Sequence, residues 1–338
     1  MIGQYALLGT VALLPVLVFL AALIYYDSFK VVPLRLVLVA LAVGGLAAMA
    51  SYWIGGATME LSRLDFRDFS RFVSPWTEEL LKGLLLVYLI RTRRIGMLVD
   101  AAIIGFAVGT GFALLENLYY LATRPEAHPA VQVIRGFGTA IMHGGATAIF
   151  AFLAVSLAER HPEALLRVYL PGLLAAVLVH AGYNSLLVWP AVATAGVLLL
   201  LPPLIYVMFQ RSEQALRHWL EADLDSDVAL LQSITAGEFG ESHAGRYVHS
   251  LREHFSPEVV VDMLCYLRLH VELALRAKGL LLMRESGLEP PPPDAETRAQ
   301  IEELRHLERS IGRTGQLALR PVLAMSSKDL WQIYLLEH

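Results

Sequence analysis

The sequence predicts an all-α protein: a polytopic membrane helical bundle of about seven spans, followed by a C-terminal helical cytosolic domain. Hydrophobic residues make up 56% of the 338 residues and charged residues only 17%, whereas soluble domains carry about 25% charged residues. Residues 1–210 hold 13 basic and 11 acidic side chains, and residues 211–338 hold 14 and 20. The net charge therefore changes from +2 to −6, which predicts a transmembrane domain over 1–210 and a water-exposed domain over 211–338.

Seven apolar stretches predict the spans. The first contains no charged residue and exceeds the roughly 20 residues that cross a bilayer core. It lacks the positive n-region of a cleaved signal peptide. The third differs from the others because it opens with Glu78, Glu79 and Lys82. The predicted spans are residues 5–26, 33–54, 75–90, 96–122, 136–158, 166–189 and 191–209.

The orientation of the bundle follows from its basic residues. Cytoplasmic loops of membrane proteins carry an excess of Lys and Arg. With the N-terminus outside, the inner segments hold nine such residues, including Arg91, Arg93 and Arg94, and the outer loops hold five. We therefore predict an outer N-terminus and a cytoplasmic C-terminal domain, with the lipid bilayer as the surroundings of residues 1–210.

The residues after 210 have the pattern of a helical domain. Ser256 and Pro257 are typical of a helix start, and the amphipathic stretch that follows extends to about residue 284. The four prolines at 290–293 predict a break before a second helix over 294–311, and Ser327 predicts the start of a last one. We interpret the domain as a regulatory or docking module.

Ionisable residues within predicted spans need a reason, because a charge at the bilayer centre costs roughly 2.5–3.5 kcal/mol on insertion scales. Counting 1.5 Å per helical residue places six polar residues of four different spans in the outer half of the bilayer. Chance would scatter them over all depths, so the shared level predicts one site. The six residues are Glu78, Glu79, Glu116, His143, His180 and Asn184.

These residue types suit peptide hydrolysis in two ways. In one, Glu78 or Glu79 acts as the base that activates water, and His180 and Asn184 stabilise the oxyanion without a metal. In the other, Glu116, His143 and His180 hold Zn²⁺ with an open fourth position. These residue types are compatible with both mechanisms.

Four motifs resemble those of a known family. Residues 78–82 match EExxK, residues 112–117 match FxxxEN, His143 stands alone in its span, and residues 180–184 match HxxxN. In this order they resemble the PrsW family of bacterial intramembrane proteases and, more distantly, the CAAX prenyl endopeptidase and bacteriocin-processing superfamily. The resemblance covers about residues 30–210.

The resemblance implies a metalloprotease of the bacterial inner membrane that cleaves membrane proteins such as membrane-held anti-sigma factors. By motif, it implies Glu78 or Glu79 as the base, with His180 and Asn184 polarising the carbonyl. Glu116 stands where the prenyl endopeptidases have a histidine.

Two other classes stay as alternatives: a proton- or ion-coupled transporter, whose buried Glu and His would form a relay, and a non-catalytic membrane scaffold. A cysteine-based zinc cluster is excluded, because Cys265 is the single cysteine. The absence of an Arg/Lys-rich stripe argues against a nucleic-acid partner.

Overall fold

The computed structural model describes residues 14, 16–27, 29, 32–62, 64–123, 128–160, 164–186, 189–323 and 336. These residues form helices and turns and contain no strand, which confirms the predicted all-α class. The chain divides into two units, Met1–Glu213 and Gln214–His338.

Seven longer helices are described up to residue 235. Those of them that are long and apolar enough to cross a membrane are α2 and α4 to α7. Helix α3 has 18 residues and carries four charged side chains. Helix α1 covers the second half of the predicted span 5–26, and residues 5–13 and 15 of that span lie outside the described residues. The helices are α1 (Val16–Tyr26), α2 (Leu34–Ser62), α3 (Ser74–Arg91), α4 (Leu98–Thr123), α5 (Pro129–Arg160), α6 (Leu165–Leu186) and α7 (Pro190–Thr235).

Helices α4 and α5 form the centre of the bundle. Their apolar windows are 83% and 78% buried, against about a third or less for the windows of α2, α6 and α7. The outer helices expose large apolar side chains such as Leu178, Leu199 and Leu200. Extensive exposed apolar surface is typical of faces that meet lipid.

Glycines allow α4 to pack against both of its main neighbours at backbone distance. A Cβ atom on Gly109 would lie 2.1 Å from the carbonyl oxygen of His143 in α5, and one on Gly44 of α2 would lie 2.0 Å from the carbonyl oxygen of Val108. Only glycine fits at such contacts, and small residues serve this purpose widely in membrane bundles. The close packing fixes the level at which the polar residues of α4 and α5 meet.

The chain enters α3 through an irregular turn. Residues Phe69–Val73 form a π-helical turn in which the Ser74 N–H donates to the carbonyl of Phe69. The next bond of this register would join the carbonyl of Ser70 to an N–H at residue 75. Pro75 has no N–H, so the Ser70 carbonyl is left for a donor from elsewhere.

Helix α7 extends beyond the predicted span end at residue 209 because residues 210–235 contain neither Gly nor Pro. It ends where Gly237 takes a φ of +76° and the Glu238 N–H donates back to the Ser233 carbonyl. This is the bonding of a glycine-terminated helix end.

The described residues of the second unit form three further helices of eight or more residues: α8 (His243–Ser250), α9 (Pro257–Glu285) and α10 (Ala295–Leu323). Ser256 accepts from the Val259 N–H at the start of α9. Gly312, with a φ of +63°, interrupts α10 next to the predicted helix end at 311. The two long helices bury Met263 and Tyr266 against Leu304 and Ile311 in one apolar core. The helix predicted to start at Ser327 lies outside the described residues.

Candidate active site

The polar side chains that the sequence places at one depth meet inside the first unit. Helix α3 contributes two of them together with Lys82, and α4, α5 and α6 contribute the others. Four of these side chains (Glu79, Lys82, His143 and His180) belong to residues that are at most 2% exposed. Such burial of ionisable groups requires that they satisfy one another.

Glu79 links α3 to α6. Its Oε1 lies 2.5 Å from Lys82 Nζ and 2.8 Å from His180 Nδ1. A carboxylate accepts hydrogen bonds, so His180 donates its Nδ1–H, and in the neutral ring Nε2 then carries a free lone pair. Glu79 therefore sets the orientation and the tautomer of His180.

Lys82 extends the network to α5. Its Nζ lies 2.9 Å from His143 Nδ1 and 4.8 Å from the centroid of the Phe112 ring. His143 Nε2 lies 2.9 Å from Glu116 Oε2 on α4. Because an ammonium group can only donate, a neutral His143 ring accepts at Nδ1 and donates from Nε2 to Glu116.

Glu78 is the carboxylate with an unsatisfied oxygen. The Ser74 hydroxyl donates to its Oε1, whereas its buried Oε2 has no hydrogen-bond partner. That Oε2 lies 3.7 Å from His180 Nε2, which is too long for a hydrogen bond. One ligand atom each from Glu78, His143 and His180 lie within 4.8 Å of one another, so these three residues form a candidate metal site.

The candidate metal site shares two residues with the set predicted from the sequence. His143 and His180 belong to both, while Glu78 takes the place that the sequence assigns to Glu116. Glu116 stays adjacent through its bond to His143 and is the most exposed of the site carboxylates, with 23% of its side chain accessible. Its ligand role remains a prediction.

Asn184, predicted as an oxyanion donor, is engaged elsewhere. Its Nδ2 donates to the Ser70 carbonyl over 2.9 Å, the group that Pro75 leaves without a backbone partner. This bond ties α6 to the turn before α3 and holds His180 next to the two glutamates. The HxxxN spacing places both side chains on one helix face, but it does not reveal this acceptor.

A second layer, formed by Arg135 and Tyr120, lies next to the site and was missed by sequence reasoning. The guanidinium carbon of Arg135 lies 3.7 Å from the centroid of the Tyr120 ring. Their spacing from the predicted site residues could have indicated them. Tyr120 follows Glu116 by four residues, and Arg135 precedes His143 by eight on the same helix face.

The model of the PrsW family of intramembrane metalloproteases matches residues 32–209, which contain all the site residues above. Neither curated proteins nor solved structures give a significant match. The matched segment covers more than half of the chain and includes helices that are long and apolar enough to cross a membrane, so the protein is a multi-pass membrane peptidase. It belongs to the PrsW family of intramembrane metalloproteases.

Proposed function

We propose that this protein is a zinc-dependent endopeptidase that cleaves membrane proteins of the single-span anti-sigma-factor type. The observation that supports it best is the buried group of Glu78, His143 and His180 inside a membrane bundle. Two histidines and a carboxylate are ligands of catalytic zinc in peptidases. A membrane protein substrate would reach this group from the bilayer.

Two of the donor atoms are already close to the spacing of zinc ligands, and all three lie within 4.8 Å of one another. Ligand bonds of 2.0–2.1 Å in a tetrahedral site separate neighbouring donor atoms by about 3.4 Å, and Glu78 Oε2 lies 3.7 Å from His180 Nε2. The lack of a hydrogen-bond partner at Glu78 Oε2 leaves that oxygen available as a ligand. His143 has to give up one of its two ring contacts to contribute, and the one with Glu116 is the more exposed.

The remaining residues divide the other tasks. Zinc, when bound, supplies a Lewis acid that polarises the scissile carbonyl and acidifies water. Glu116, the most accessible carboxylate, is placed to take a proton from water and pass it to the leaving amine. Glu79 orients His180, and Lys82 offsets the buried negative charge of Glu79.

A metal-free mechanism is the second candidate, and the bonds of His143 favour it. Lys82 occupies Nδ1 and Glu116 faces Nε2, so the neutral ring has no lone pair free for a metal. In that mechanism Glu78 or Glu79 activates water, and His180 stabilises the oxyanion together with Asn184 once that amide leaves Ser70.

We also propose that the site lies in the outer half of the bacterial inner membrane, with the N-terminus outside and residues 211–338 in the cytoplasm. The basic-residue bias and the shared depth of the site residues support this orientation. Reporter fusions after Arg217 should give a cytoplasmic signal, and fusions within residues 55–74 an outer one. The opposite pair of signals would reverse the assignment.

Purified full-length protein and a helical transmembrane peptide test the function. We expect cleavage that chelators abolish and zinc restores, with about one zinc per chain that His180→Ala removes. Glu116→Gln should lower the rate by about 10²–10⁴-fold, as loss of a general base does. Glu60→Gln is the matched control, because Glu60 is exposed on α2. Activity without stoichiometric metal, unaffected by chelators, would leave only the metal-free mechanism.

A further inference from the structure

The Arg135–Tyr120 pair is the feature of the first unit that the chemistry above does not use. Arg135 is half-buried, and among the described residues its guanidinium makes no salt bridge. A guanidinium has five N–H donors and is always charged. A half-buried guanidinium that acts on Glu116 without a direct salt bridge keeps N–H donors with which it can bind an anion.

The guanidinium of Arg135 lies on the side of α5 that faces α4. Its central carbon is 3.7 Å from the ring centroid of Tyr120, which lies one turn after Glu116 on α4, and its charge acts on the carboxylate of Glu116. A lipid-facing arginine would instead extend its charge toward the headgroups.

The contact with Tyr120 restricts what Arg135 can bind. The guanidinium carbon lies over the ring, so further ligands approach the N–H groups at the edge of the guanidinium. That edge matches the two oxygens of a carboxylate. A backbone carbonyl offers only one acceptor oxygen and no charge, so it would bind the guanidinium less strongly than a carboxylate does.

We propose that Arg135, held by Tyr120, is a specificity-determining residue that binds a substrate carboxylate near the scissile bond. The carboxylate is either an acidic side chain or the C-terminal group of the substrate. This inference rests on the proposed endopeptidase function.

The helix geometry gives the position of that carboxylate. Tyr120 lies one turn from Glu116, about 6 Å along the axis, and Arg135 lies two turns from His143, about 12 Å. An extended peptide rises about 3.3 Å per residue. The carboxylate is therefore expected two to four residues from the bond that is cleaved.

Pairs of synthetic peptides test the proposal with full-length protein in lipid nanodiscs. Each peptide has one apolar transmembrane segment. Members of a pair differ by Asp or Asn at one position two to four residues from the cleaved bond, or by a free or amidated C-terminus. The pair whose two members are cleaved at different rates identifies the source of the carboxylate.

We expect kcat/KM to be 10- to 100-fold higher for the carboxylate member, as charge-assisted hydrogen bonds allow. Arg135→Gln should abolish this ratio, so that both members of a pair are cleaved with equal kcat/KM, and Arg135→Lys should retain part of it. Arg67→Gln is the control, because Arg67 is an exposed arginine just before α3. The expected ratio with Arg67→Gln is that of the wild type.

Two results would overturn the proposal: no preference in the wild type, or an equal loss for both members with Arg135→Gln, which indicates a structural or lipid-binding role. Fluorescence anisotropy of labelled peptides, measured in chelator, separates this proposal from the protease function. If no peptide is cleaved but carboxylate members still bind more tightly through Arg135, the endopeptidase function fails and the carboxylate site stands. If binding shows no such difference either, both fail.

Discussion

Replacing Gly109 by alanine should disable the site from outside it. The added Cβ would lie 2.1 Å from the His143 carbonyl oxygen and 2.5 Å from its carbonyl carbon, whereas ordinary contacts begin at 3.4 Å. Helices α4 and α5 must then move apart by about 1 Å at this level, at an overpacking cost of about 1–3 kcal/mol. The movement stretches the 2.9 Å contact between Glu116 and His143. A misplacement of about 1 Å can lower activity by roughly 10²-fold.

The assay for Gly109→Ala combines peptide cleavage with thermal unfolding in detergent. We expect kcat/KM to fall by about 10²-fold at temperatures where the variant stays folded. Gly182→Ala is the matched control, because Gly182 follows His180 by two residues and its Cβ would meet nothing within 4 Å. That control should keep full activity and gain about 0.5–1 kcal/mol from the better helix former. Wild-type activity and stability in Gly109→Ala would refute the backbone contact.

Three further predictions concern single groups. Burial lowers the pKa of His270 from 6.5 to about 4, so the unfolded state takes up a proton first as the pH falls from 6.5 to 4. The second unit should therefore lose about 2 kcal/mol at pH 5, and hydrogen exchange over 257–285 should show this in the wild type but not in His270→Leu. Lys82→Met leaves a buried charge unpaired, which typically costs 3–5 kcal/mol. Denaturant unfolding should show this loss of stability, and a Lys82→Met protein as stable as the wild type would contradict it. Pro75→Ala supplies an N–H for the Ser70 carbonyl, so a double-mutant cycle of unfolding free energies should show Asn184→Ala costing about 1–3 kcal/mol in the wild type and clearly less in Pro75→Ala.

The common level of the site residues along the bundle was predictable from the sequence, because the rise along a helix is constant. Counting from the span ends puts Glu79 and His180 at one level, and the structure brings them within 2.8 Å. The direction in which each side chain points around its helix axis could not be predicted in this way, because it depends on how the four helices are rotated relative to one another. For this reason the sequence favoured Glu116 as the partner of both histidines, while the structure sets Glu78 beside His180.

Local irregularity of the backbone also limited what could be predicted from the sequence. A period of 3.6 residues carries no sign of the π-helical turn at Phe69–Val73, so Asn184 looked free to serve chemistry. The close approach of α4 and α5 was partly visible in the small-residue spacing of Gly105 and Gly109. That spacing does not tell which helix approaches or which carbonyl the glycine faces.

The residues of this site are synthesised in the order of the chain, so the site is assembled in that order. Glu79 and Lys82 are one helical turn apart and pair within α3 itself, so both charges enter the bilayer already compensated. Glu116 and His143 follow on later helices, and His180 arrives last, on α6. A nascent chain released before α6 therefore carries no complete site and no means of orienting one. We expect the peptidase to be inert toward neighbouring membrane proteins until its sixth helix has joined the others.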